Sequence, residues 1–157
     1  DKWSHACAAR RSLDRGVGQI IQIGVRAWSR EEATFSENDN RVQTHLASDI
    51  LAVSNGQKVW DSLMNELSTI SGPVWISVDI DVLEGYIVPS TGTPVPGGLS
   101  WWHLESALAT ILESKNCRVI GADVVEIVPD IEGSLTPFTA AMIATRLVGG
   151  HIHRSIQ

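Results

Sequence analysis

Asp79 and Asp81 stand two positions apart at the end of an apolar run, in the stretch SVDIDVLEGYIVPSTGTPVPGGL over residues 77–99. Side chains two apart on a strand point to the same face, so the two carboxylates converge if the strand continues through both. In parallel α/β sheets ligands collect beyond the carboxyl ends of strands. Two bare carboxylates there repel, and one takes a proton unless a cation neutralises them, so bound metal is the economical physical answer. Oxygen ligands favour magnesium, calcium or manganese over metals that prefer thiolate. Two acids do not complete such a site, and His5, Glu126, His151 and His153 are the further candidates. Taken alone, Asp-x-Asp at a strand end is a weak signal whose ordinary alternative is a capped, solvated loop.

The elements that must position these residues alternate. Ser4 can cap a helix running to about Arg15 with Gly16 as its stop, which places His5 in the first turn. Residues 19–27 read as a β-branched strand, 30–39 as a polar and partly helical connector, and 41–50 as a strand with its exit loop. Val59, Leu63, Leu67 and Ile70 recur at helical spacing over residues 56–70. A strand over 72–81 follows, then a helix capped by Ser100 and Glu105 with Leu104, Leu108, Ile111 and Leu112 on one side. A strand over 118–129 and a helix over 134–150, ended by Gly149-Gly150, complete the pattern. Strands alternating with helices imply a largely parallel sheet covered on both faces.

The chain of 157 residues, 43% hydrophobic with six Trp, has the size and apolar content of one globular domain spanning 1–157. A formal charge of -6, with 12 Lys and Arg that cluster only at Arg10-Arg11, argues against a nucleic-acid surface and for a small-molecule ligand or protein partner. Cys7 and Cys117 suggest neither a disulfide framework nor a zinc site, and fit a reducing, cytoplasmic setting. No apolar run is long enough to span a membrane and no secretory signal is evident, while a first residue of Asp1 reads as a partial or processed chain.

The stretch STGTPVPGGLSWWHLE after SVDID, with GADVVEIVP beyond it and SHACAARR and IIQIGVR before it, resembles the ureohydrolase family of arginases and agmatinases. The style of SHA and IQIGVR is closer to agmatinase, and the order of motifs is that of the C-terminal half of such an enzyme. The resemblance implies a three-layer α/β/α fold with a mainly parallel sheet and a dinuclear manganese centre at its carboxyl edge. It also implies a metal-bridging hydroxide attacking a guanidinium carbon, so that agmatine yields putrescine and urea. Two close cations lower the pKa of a shared water and stabilise a tetrahedral intermediate, so the chemistry is coherent.

Matched by position, Asp79 and Asp81 are the paired metal-ligand aspartates. His5 is the histidine that shuttles a proton to the leaving amine, and a helix N-terminus, which disfavours imidazolium, suits that cycle. Glu126 is the acid that holds the planar guanidinium. Thr93 lines the site, and Asp123 belongs to its supporting shell. The nearest alternatives are arginase or a relative acting on another guanidino compound, and a truncated non-catalytic binding domain. Trimers or hexamers are the family's common assemblies.

The sequence also departs from the family. Glu84-Gly85 stands where Asp-Pro is usual, which leaves that loop's turn and hydrogen bonds open. The Gly-rich His motif and the Asp-Ala-His-x-Asp motif that supply the remaining ligands are missing, so the chain alone is expected to hold no dinuclear centre and to be inactive. The bland readings elsewhere are a solvated tail for His151 and His153, surface positions for His45 and His103, and small core-facing residues for Cys7 and Cys117. Trp101-Trp102 read as packing residues and Arg10-Arg11 as a solvated or interface face.

Overall fold

The structure, a computed structural model, describes residue 4, residues 7–129 and residues 133–155, the last three by backbone alone. Among the described residues the chain runs α1 (Ala8–Asp14), β1 (Ile20–Val25), α2 (Arg30–Asn38), β2 (Val42–Leu46), α3 (Ala47–Ile50) and α4 (Gly56–Thr69). It continues through β3 (Gly72–Asp79), a 3-10 turn (Ile80–Val82), α5 (Trp101–Glu113), β4 (Cys117–Val125) and α6 (Leu135–Ser155). The expected alternation is present, and both strand pairs, β1 with β2 and β3 with β4, are parallel. They form two separate two-stranded sheets, not one continuous ladder. None of the helices, over the described residues, is long and apolar enough to cross a membrane.

Strand parity decides what β3 presents. Ile76 and Val78 are buried and Ile80 continues the row, while Trp75, Ser77 and Asp79 occupy the other, solvent-facing side. The buried row packs with Leu108 and Leu112 of α5 and with Ala140, Ile143 and Leu147 of α6. On the opposite face of this sheet, among the described residues, Trp75 is 60% and Ile120 51% exposed. A second core gathers Ala47, Ile50, Leu63, Leu67, Leu99 and Ala107, with Ile21 and Ile23 of β1 against it. α5 belongs to both cores, through Ala107 on one side and Leu108 and Leu112 on the other.

Several local expectations are corrected. α1 has Cys7 at its N-cap and no side-chain cap; Ser4 instead accepts the Cys7 N–H on its backbone carbonyl at 3.0 Å. Gly16, at φ 100°, does end that helix. The connector over 30–39 is a helix because Ser29 and Glu32 form a reciprocal capping box. At α5 the partner of Ser100 is His103, not Glu105, which pairs with Arg146 at 2.8 Å. Gly149-Gly150 does not terminate α6, which runs on through Ser155. A Cβ at Gly150 would come within 2.8 Å of Leu112 Cδ1, so glycine there permits close approach of α6 to α5 rather than a stop.

Trp101 packs against the first core, whereas Trp102 is 73% exposed. Arg10 lies over the Phe35 ring at 4.5 Å and, with Arg11, pairs with Asp14, in keeping with a solvated face. Cys117 is buried and Cys7 half-buried. The two histidines expected on surfaces are drawn inward. His45 Nε2 sits 3.1 Å from Glu66, and His103 meets Trp60 edge-on with its pKa lowered by burial.

Leu63 is fully buried, so Leu63→Ala should cost about 3 kcal/mol in urea unfolding through lost transfer energy and a residual cavity. Ser29→Ala, which removes one cap, should cost about 1 kcal/mol.

Candidate functional site

The carboxyl ends of β3 and β4, with the loop over 82–99, bring Asp79, Asp81, Thr93 and Glu126 into one region. Asp79 is the last residue of β3, but the strand does not continue through Asp81. The backbone turns instead, because the Asp79 carboxylate accepts the Asp81 N–H at 3.2 Å and caps the 3-10 turn. The two acids are therefore held together by a cap, not by the shared face of an extended strand.

Solvent reaches Asp79 from the exposed sheet face, yet partial burial strips away some of its water. That desolvation comes first, then the charge of Asp81, with a smaller push from Glu126; together they raise its pKa from 3.8 to about 6. The push from Glu126 ties the end of β4 electrostatically to the acid pair. Thr93 donates its hydroxyl to Asp81 Oδ2 at 2.8 Å, so Thr93 orients an acid of the pair.

Glu126 is the one residue other than glycine, among those described, with positive φ, at 63°. β4 stops at Val125, and beyond Glu126 the chain bends so that Ile127 bridges Thr91 in antiparallel fashion. Left-handed backbone at a non-glycine residue costs free energy and is held only by surrounding structure. Here the holding contacts are the Thr91–Ile127 bridge and the Val128 N–H bond to Ser90 O at 3.1 Å. Glu126 Oε2 lies beside Gly92, 3.5 Å from where a Cβ there would stand.

Asp123 does not join the acid pair directly. Its carboxylate accepts the Ser77 hydroxyl at 2.6 Å and the Trp75 indole N–H at 2.7 Å, on the exposed face of the sheet that also carries Asp79. These two donors went unnoticed in the sequence, although Ser77 is the first residue of the Ser-x-Asp-x-Asp motif. His5 lies outside the described residues, as does the side chain of His153; His151 sits within α6. The loop that carries Glu84-Gly85 is well bonded without an Asp-Pro turn: Glu84 N–H reaches Leu99 O at 3.1 Å, and Glu84 O accepts from Ile87 and Val88.

Two adjacent carboxylates, each with about four lone-pair directions, form a donor set that suits a hard divalent cation. Among the described residues no group of three or more His, Cys, Asp or Glu side chains could hold a metal ion, so the pair fits as part of a site.

Fold and site together define an α/β protein whose paired acids lie beyond the carboxyl ends of parallel strands. A family model described as the arginase family matches residues 1–149, and the chain belongs to that family. It is 34% identical to an agmatinase of Pyrococcus horikoshii over 94% of the chain and 48% of that protein. It is 33% identical to an N(1)-aminopropylagmatine ureohydrolase of Thermococcus kodakarensis over 94% of the chain and 47% of that protein. The crystal structure of an agmatine ureohydrolase of Thermoplasma volcanium superimposes with a TM-score of 0.78 at 30% identity, covering 96% of this chain and 48% of that one. The chain thus spans about half the length of the curated relatives it matches.

Because the folded pKa of Asp79 stands above its unfolded value of 3.8, its contribution to stability is complete below pH 3.8 and is lost as pH rises through about 6. The metal-free chain should therefore show a component of its urea midpoint that falls across that window and is absent from Asp79→Asn. A wild-type minus variant difference that is flat with pH would contradict this.

Proposed function

We propose that this chain carries part of the active site of an agmatinase-like ureohydrolase, which hydrolyses a guanidino compound, agmatine in the first instance, to urea and an amine. The single observation that carries the reading is the capped Asp79–Asp81 pair with Thr93 on one acid and Glu126 within electrostatic reach of the other. Membership of the arginase family and the names of the relatives support it.

Asp79 and Asp81 would hold the metal, manganese by the family resemblance. When bound, a pair of such cations would lower the pKa of a water, so that hydroxide is supplied to the guanidinium carbon near neutral pH. Everything else is work for protein groups. Thr93 keeps Asp81 in one orientation by donating to Oδ2, leaving Oδ1 and the remaining lone pairs for a cation. Glu126 offers a carboxylate to the planar N–H fork of a guanidinium, which fixes the substrate's orientation. Its left-handed backbone sets where that carboxylate begins. Asp123 steadies the sheet end by tying Ser77 to Trp75. His5 is the proposed proton carrier to the departing amine.

Among the described residues the two acids make up only part of a dinuclear ligand set, and the chain spans about half the length of its curated relatives. The isolated chain with manganese should release no urea from agmatine or arginine above a protein-free control. A protein of the relatives' full length that includes this chain should release urea from agmatine. In it Asp81→Asn should lower kcat about 1,000-fold or more. Glu126→Gln should raise KM about 10- to 100-fold through the loss of one charged hydrogen-bonded pair. Manganese-dependent turnover that survives Asp79→Asn and Asp81→Asn together would overturn the assignment. Preference for arginine over agmatine would keep the chemistry and change the substrate.

A further inference from the structure

Arg26, the last residue of the IQIGVR motif, has no part in the site as assigned so far, yet its side chain is only 9% exposed and reaches three segments of that site. Its Nε–H donates to Val95 O at 3.0 Å. Nη1 donates to Gly24 O and to Val82 O, each at 3.2 Å. Nη2 donates to the Asp81 backbone carbonyl and approaches Asp81 Oδ1 at 3.5 Å. A guanidinium has five N–H donors in a rigid planar fork, and each of the five has a partner here. Those partners lie at the end of β1, in the 3-10 turn that holds Asp81, and in the loop two residues beyond Thr93.

An independent feature brings the same segments together. Gly24 has φ 81°, and a Cβ there would lie 2.6 Å from Val82 Cγ2. Glycine thus lets β1 touch the turn, and Arg26 bonds across the contact. β1 and β3 are not hydrogen-bonded neighbours, so no ladder fixes this distance.

From these contacts we propose that Arg26 is a positioning residue: its fork sets the place of Asp81 relative to Thr93, and so the direction in which the acid pair presents its free lone pairs. The consequence for metal binding rests on the function proposed above; the clasp itself does not. A lysine keeps the charge but has no planar fork able to bind carbonyls in three directions. The geometry of the fork, and not its charge, does the positioning.

The test is residue-resolved amide exchange on the chain itself, wild type against Arg26→Lys and Arg26→Met. It is followed by manganese(II) titration read through paramagnetic broadening of amide signals. The amides of Asp81, Leu83, Glu84 and Leu99 are bonded within or against the turn. They should exchange about tenfold faster or more in both variants, while amides in the middle of α4 and α5 keep their rates. Broadening of residues 79–83 by manganese should need about tenfold more metal in both variants than in wild type.

Unchanged exchange at the turn, or equal acceleration throughout the chain, would overturn the proposal, the second because Arg26 would then be a general stabiliser. Wild-type behaviour in Arg26→Lys would also overturn it, since charge alone would suffice. If neither of those variants folds, Arg26→Gln carries the same test, since its amide keeps two N–H donors but has no five-donor fork; turn amides that stay protected in it would sink the idea. Wild-type signals at 79–83 that broaden no more than those of Asp79→Asn would count against metal binding by these acids, while the exchange data still decide the clasp.

Discussion

The parity of β3 is the constraint on which the site rests. Ile76, Val78 and Ile80 must all enter the core between α5 and α6, where the last of them is fully buried. Because side chains alternate, Ser77 and Asp79 are forced to the other face. A slip of one residue would bury the acid and expose three β-branched side chains, a cost of several kcal/mol in lost apolar burial alone. Core packing therefore decides where the first acid stands, before any charge interaction is considered.

The second acid is placed by different physics. At Asp79 the extended backbone gives way to a turn whose first free N–H is captured by the Asp79 carboxylate. The same carboxylate is desolvated and repelled by its neighbour, as its raised pKa records. This arrangement stores unfavourable electrostatic energy in the metal-free chain, energy that a cation or a proton relieves. The left-handed backbone at Glu126 is a second local cost at the same sheet end, borne by the bridge between Ile127 and Thr91. Strain and like charge gathered at one edge of an otherwise well-packed structure are what a binding site requires of its scaffold.

Much of this was legible from residue order. Helical spacing, caps and β-branched runs located the long helices and strands among the described residues, and the Asp-x-Asp motif with its Gly-Thr-Pro loop marked the candidate site. The misreadings have common causes. Ser4, Glu105 and Gly149-Gly150 each carry the right chemistry for a cap or a stop, but competing contacts won. The Ser4 backbone, the Arg146 guanidinium and the close packing of Gly150 on Leu112 took those roles. Local signals state what a residue can do; packing chooses among the options.

What the sequence by itself determined is the order of the longer strands and helices, the parallel α/β class, the acids at a strand end and the family they resemble. These follow from local composition, spacing and contiguous motifs, whereas the short α3 helix and the 3-10 turn carry no such signal. Only the tertiary structure decided that Asp79 and Asp81 meet through a capped turn, that Thr93 serves Asp81, that Asp123 serves Ser77 and Trp75, and that Arg26 binds three segments at once. Each of those is a contact across twelve to sixty-nine residues of chain or a turn of the backbone. Such contacts exist only once the helices have fixed how the sheet ends approach one another.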